Sequence, residues 1–95
     1  MASVIGYLEL ELYIPQAHSL KEKRGVVKGT VERIKKKFNA SVSEVDAQDS
    51  WQRAVIGVAV VGTSSKVVDA TLESIVRFID ELYPGLLTTY HKELL

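Results

Sequence analysis

The chain contains no cysteine in its 95 residues, which removes both a disulfide framework and a thiolate metal site and suits a reducing compartment. Long apolar runs are also missing. The longest, Ala54 to Val61, covers eight residues and is interrupted by Gly57, far short of the ~20 needed to cross a bilayer. The first basic residue is Lys21, so no cationic region precedes an apolar stretch and a signal peptide is not expected. The expectation is a cytoplasmic protein that does not enter the membrane. Catalytic signatures are lacking too. Gly62-Thr63-Ser64-Ser65-Lys66 does not have the order of a phosphate-binding loop, and no dinucleotide-type glycine triplet follows the first strand. There is no nucleophile elbow and no pair of histidines at metal spacing. No catalytic residue, cofactor or metal is assigned, and the residues favour a non-enzymatic binding or accessory module.

What is present is a clear alternation of periods. Val4, Gly6, Leu8, Leu10, Leu12 and Ile14 alternate with Ile5, Tyr7, Glu9, Glu11 and Tyr13, the period of a strand buried on one side, until Pro15 ends it. Ser19 followed by Glu22 reads as a capping box. Leu20, Val27, Val31, Ile34 and Phe38 then recur at helical spacing, predicting a first helix from Leu20 to Phe38 with one apolar stripe. Residues 40–47 read as a short strand, Asp46 to Trp51 as a turn, and Gln52 to Gly62 as a β-branched strand, together a hairpin. Ser64 or Ser65 can cap a second helix buried through Val68, Leu72, Ile75, Val76, Ile79 and Leu82, which Pro84-Gly85 stops. Leu86 to Leu94 completes a βαββαβ order. Residues 1–95 therefore predict one α+β domain, long enough to bury roughly 60–65% of its unfolded surface. Two interlocked right-handed crossovers give a ferredoxin-like antiparallel sheet, order 4-1-3-2, with both helices on one face.

Charge is distributed unevenly on that frame. Eight of the twelve basic residues, Lys21, Lys23, Arg24, Lys28, Arg33, Lys35, Lys36 and Lys37, lie in the first helix against Glu22 and Glu32 alone, a formal charge of +6. The zero net charge of the chain is thus a cancellation between a cationic element and an anionic body, a pattern that points towards polyanions. Projected at 100° per residue, Lys21, Arg24, Lys28 and Lys35 fall within about 60° of one another and can track a phosphate backbone. With Lys36 they form the candidate nucleic-acid surface.

Two further stretches carry a resemblance. His18-Ser19-Leu20-Lys21-Glu22-Lys23-Arg24 and the run from Glu44 to Ala59 (EVDAQDSWQRAVIGVA) resemble the bacterial YlxP-like family of small proteins of unknown function, over nearly the whole chain. The resemblance implies a ferredoxin-like fold in a cytoplasmic protein and no established activity. Genes of that family often stand beside those for translation and ribosome-maturation factors, which implies an association with RNA or the ribosome by context alone. Gly25 and Gly29 depart from the family's pattern, where larger residues are usual.

Other surfaces compete with the helix. Stacking aromatics on the open sheet face are a common RNA platform for this fold, but Glu9 and Glu11 between Tyr7 and Tyr13 would repel phosphates. Both faces of the third strand are apolar, so a second copy packed on the open face is expected, making the chain a homo-oligomer. An acidic protein surface is an alternative partner for the helix. A third candidate lies at the hairpin end, where topology can gather His18, Asp46, Asp49, Trp51 and Arg53; histidine with two carboxylates could hold a small molecule or a metal. The structural alternative there is a cross-strand Asp46–Arg53 pair, Asp49 bonding its own turn, and Trp51 capping the edge of the core.

Overall fold

A computed structural model describes residues 3–95. The elements are β1 (Val4–Tyr13), α1 (Leu20–Lys37), β2 (Ser41–Asp46), β3 (Arg53–Gly62), α2 (Ser65–Leu82) and β4 (Leu87–Leu94). They form an antiparallel four-stranded sheet in the order β2-β3-β1-β4, which is the predicted 4-1-3-2 order, with both helices on one face. The predicted ends shift by a residue at several places. Phe38 is the C-cap of α1 rather than its last turn, and Ser64 is the N-cap of α2, accepting from the Val67 N–H.

Period-2 patterning sets the central pair. Leu8 faces Val58, Leu10 faces Ile56 and Leu12 faces Ala54 across β1 and β3, and all six are fully buried beneath the helices. Each such aliphatic side chain contributes about 1.5–3 kcal/mol through the water it sheds. α2 supplies Val68, Leu72, Ile75, Val76 and Ile79, as its spacing predicts, while Leu82 is only half-buried. Gly6 is where α2 comes closest. A Cβ there would lie 2.5 Å from Val68 Cγ1 and 2.9 Å from Leu72 Cδ1, so only glycine admits that packing.

The helix-facing side of β4 is not apolar in its middle. Lys92, opposite Leu8, reaches Asp69 at 2.8 Å and Glu73 at 2.6 Å on α2. Those two carboxylates raise the Lys92 pKa above its ordinary value.

The open face corrects one expectation. Val55 and Gly57, which point away from the helices, are already buried within the chain. Val55 is flanked by Glu11 and Asp46 on the neighbouring strands. Tyr7 and Val45 lean over Gly57, where a Cβ would come within 3.0 Å of the Tyr7 hydroxyl and 2.8 Å of Val45 Cγ1. The exposed apolar part of this face is the row of Val61, Ile5 and Leu95 at one end, with Val45 and Tyr13 partly open elsewhere on it.

Candidate nucleic-acid interface

α1 begins where Ser19 turns out of the extended backbone and accepts from the Glu22 N–H at 3.1 Å. Glu22 returns a bond, but to the His18 N–H at 2.7 Å, one residue before the cap. The box predicted from Ser19 and Glu22 is therefore present with its second arm displaced by one position.

The buried seam of α1 is Lys23, Val27, Thr30 and Ile34. Leu20, Val31 and Phe38, expected on that stripe, are half-buried at its margin. On a helical projection the seam is rotated by about 40° from the expected one. The rotation has a local cause. Lys23 is fully buried because its ammonium donates to Glu44 Oε2 at 2.7 Å, to the Ala47 carbonyl at 3.0 Å and to the Gln48 carbonyl at 3.3 Å. Thr30 satisfies its hydroxyl on the Val26 carbonyl at 2.8 Å and lies 3.2 Å from the Tyr83 hydroxyl. Turning these two polar residues inward turns Lys21, Arg24, Lys28 and Lys35 further out.

The eight basic residues of α1 consequently divide by role. Lys23 is a buried staple between α1 and the β2–β3 turn. Arg33 donates to the Tyr83 hydroxyl at 2.8 Å, and Lys37 sits over the Phe78 ring, 4.6 Å from its centroid. Lys21, Arg24, Lys28, Lys35 and Lys36 are exposed, and among the described residues none of them meets a carboxylate. Glu32 stands one turn from Lys28 and from Lys36 without pairing to either. Lys21 to Lys35 spans 14 residues, about 21 Å along the axis. Gly25 and Gly29 lie on the same exposed side, and a Cβ at Gly25 would meet nothing.

At the hairpin end the loop is anchored; Asp46 and Arg53 line one shallow cleft, and among the described residues no hydrogen bond or ion pair joins any two of the five predicted residues. Gln52 donates to the Pro15 and Ala17 carbonyls, both at 3.2 Å, and the Ile14 N–H donates to the Gln52 carbonyl at 2.6 Å. Arg53 pairs with Glu11, not with Asp46, because the diagonal neighbour on β1 is within reach of its guanidinium. That bond, followed by the Glu11 and Asp46 charges, raises the Arg53 pKa. Asp46 accepts from the Ala47 N–H, where a left-handed backbone (φ 59°) turns the chain. The turn is closed by Ser50, whose N–H donates to the Ala47 carbonyl and whose hydroxyl accepts from the Arg53 N–H, a role expected of Asp49. His18 and Asp49 are exposed. Trp51 does not cap the core: 57% of it is open. Among the described residues no three of His, Asp and Glu are grouped so that they could hold a metal ion.

Lys23 and Gln52 are the residues that organise this end, and the charge-based reading overlooked both. The signal for Lys23 was its place in the series 23, 27, 30, 34, which repeats at i, i+4, i+7 and i+11. A cleft of about 490 Å³ opens beside them, lined by Ile14, Ala17, Glu22, Val26, Tyr83 and Leu86 among others. Its walls are mostly aliphatic.

The open sheet face carries the opposite sign. Glu9, Glu11 and Glu93 from β1 and β4 and Asp46 from β2 share it with Arg53 and His91. The molecule thus presents one cationic edge and one anionic face. No helix of the described residues is long and apolar enough to cross a membrane.

Comparison with known proteins agrees with this architecture. The de novo designed protein Foldit4 is similar over 98% of this chain and 96% of its own, with a TM-score of 0.60 and 14% identity, a likeness of fold alone. The "Uncharacterized protein YlxP" of Bacillus subtilis (strain 168) is 44% identical over 77 residues, covering 81% of this chain and 84% of that one. Residues 5–91 match the family described as "Protein of unknown function (DUF503)". On that match, which takes in both helices, β2, β3, nearly all of β1 and the first part of β4, the chain belongs to the DUF503 family.

Proposed function

We propose that this is a cytosolic, non-enzymatic accessory protein that binds RNA, free or within a ribonucleoprotein such as the ribosome, through the exposed edge of α1. One observation carries the reading. Lys21, Arg24, Lys28, Lys35 and Lys36 are exposed without a carboxylate partner, whereas Lys23, Arg53 and Lys92 are each clamped by one. Unclamped cations in a row release counterions when phosphates replace them, which is the main sequence-independent source of affinity for nucleic acid.

Retention on total RNA measured across salt concentration tests this. Four phosphate contacts give log affinity a slope of roughly −3 against log salt, and changing Lys21, Arg24, Lys28 and Lys35 together to glutamine should flatten it. All four are exposed, so the quadruple variant should keep the parent's melting temperature. Absence of retention at low salt would remove the proposal. A defined acidic protein captured after nuclease treatment, and lost in the same variant, would replace RNA by a protein partner. Self-association is the second part of the reading, now confined to the Val61–Ile5–Leu95 row. Light scattering of Val61→Lys against the parent tests it, and a monomeric parent would end it.

A further inference from the structure

The two outer strands of the sheet, β2 and β4, are flanked by opposite charges. On the β4 side, Asp69 and Glu73 of α2 reach Lys92, and Asp80 lines a groove with Val76, Thr89 and Tyr90. Three carboxylates there face one ammonium. On the β2 side, the setting of α1 decides the sign. Its flank towards α2 is fixed by Glu22 and Val26, which line one cleft with Leu82 and Tyr83, by Arg33 on the Tyr83 hydroxyl and by Lys37 over the Phe78 ring. Arg24, Lys28 and Lys35 project from the other flank, across the seam of Lys23, Val27, Thr30 and Ile34. Lys23 is bonded to Glu44 on β2, the outermost strand, so that flank overhangs the free edge of the sheet.

Both edges also offer backbone donors. Ile5 and Leu95 exchange N–H bonds at 3.5 and 2.7 Å, so by the alternation of an antiparallel ladder Tyr7–Glu93 and Glu9–His91 do the same, and Tyr90 and Lys92 turn their N–H groups outward. Counted across β3 from the Ile14 N–H on the Gln52 carbonyl, the same alternation turns the Val42 and Glu44 N–H groups outward from β2. Neither strand carries a proline to block pairing. The two strands run in opposite directions. A β2 laid beside the β4 of another copy therefore continues the antiparallel sheet with all helices on one face.

We infer that copies of this chain associate head to tail, the β2 edge and cationic α1 flank of one against the β4 edge and acidic α2 flank of the next. Charge selects this pairing. Joining β4 to β4 would set Asp69, Glu73 and Asp80 against themselves, and joining β2 to β2 would do the same to Arg24, Lys28 and Lys35; only β2 with β4 brings unlike charges together. The contact also covers Tyr90 and Leu94, two large side chains exposed on β4. It goes beyond the α1 reading and draws on the same cations, so RNA and a neighbouring copy compete. It is separate from the Val61–Ile5–Leu95 row, which lies on the open face.

Sedimentation velocity of the full chain at low salt tests it. A head-to-tail contact is heterologous, so the average mass should rise with concentration past a dimer and fall as salt is added. Asp80→Lys spoils the β4 side, and Lys28→Glu with Lys35→Glu spoils the β2 side. Each variant alone should need at least about tenfold more protein to associate than the parent. Mixed one to one, they should form a heterodimer that grows no further, because one native β2 side and one native β4 side remain between them. All three positions are exposed, so equal melting temperatures show that the fold is kept. Amide exchange at Tyr90 and Lys92 should slow as the parent assembles. A parent that stays monomeric at low salt, or variants that fail to combine on mixing, would overturn the inference. A parent that assembles in this way without retaining RNA would sustain it and remove only the RNA reading.

Discussion

Replacing Lys23 by methionine keeps the apolar stem of the side chain and deletes the ammonium with its charge and its three donors. Three partners are then abandoned: the Glu44 carboxylate, which is 16% exposed, and the Ala47 and Gln48 carbonyls. Removing one member of a buried ion pair costs about 3–5 kcal/mol, mostly because the other charge stays desolvated. Glu44 sits on the edge strand and can recover some water, which sets the cost at the low end; the two carbonyls belong to a surface turn and add at most about 1 kcal/mol. The sum is about 3–4 kcal/mol. For a domain of this size the melting temperature should fall by roughly 12–32 °C.

Urea and thermal unfolding of the parent, Lys23→Met, Glu44→Met and the double variant measure this as a cycle. The double variant should be more stable than Lys23→Met alone, since an apolar pair of similar volume leaves no orphaned charge. Amide exchange at Ser50, whose N–H donates to the Ala47 carbonyl, should quicken in Lys23→Met as the turn loosens. A loss below about 1 kcal/mol in Lys23→Met would show that the ammonium contributes little and that its stem alone holds the turn. Strictly additive single effects would show the same.

Three other outcomes follow from the same coordinates. Gly6→Ala should cost about 1–3 kcal/mol by forcing α2 off the sheet at Val68, and an unchanged urea midpoint would contradict that packing. Alanine at two glycines surrounded by open space should act with opposite sign: Gly85→Ala loses about 1 kcal/mol, since φ is +83° there, while Gly25→Ala, within α1, gains about 0.5–1 kcal/mol. Calorimetry of the two separates backbone strain from helix propensity, and a shared sign would refute the assignment. Tyr7 should ionise above the ordinary tyrosine value, because burial first and the Glu9 carboxylate second raise its hydroxyl above 10.0. The native state then holds that proton more firmly than the unfolded chain, so the stabilisation is complete below pH 10 and fades as pH climbs through the native value. The difference between alkaline absorbance titrations of the parent and Tyr7→Phe reads this, and a difference step at or below pH 10 would refute it.

The sequence disclosed the frame where one physical rule governed a whole element, and misled where a polar residue went inward. β1 and α2 were legible because Leu8-Leu10-Leu12 and Val68-Leu72-Ile75-Ile79 are apolar at every buried position, so periodicity and burial coincide. α1 was legible as a helix but not in its rotation, since two of its four buried positions are Lys23 and Thr30 and a count of apolar residues slides to Leu20, Val31 and Phe38. β4 blurred for the same reason, with Lys92 facing the helices to meet Asp69 and Glu73. The composition made all eight cations of α1 look alike, although only pairing across the fold separates the staple Lys23 from the stripe. That separation depends on Glu44, 21 positions away and on another element, so no local pattern could have supplied it. The same bond that withdraws Lys23 from the cationic surface fastens the turn that displays Trp51. Lys23→Met should therefore loosen the β2–β3 turn while leaving the exposed cations of α1 in place.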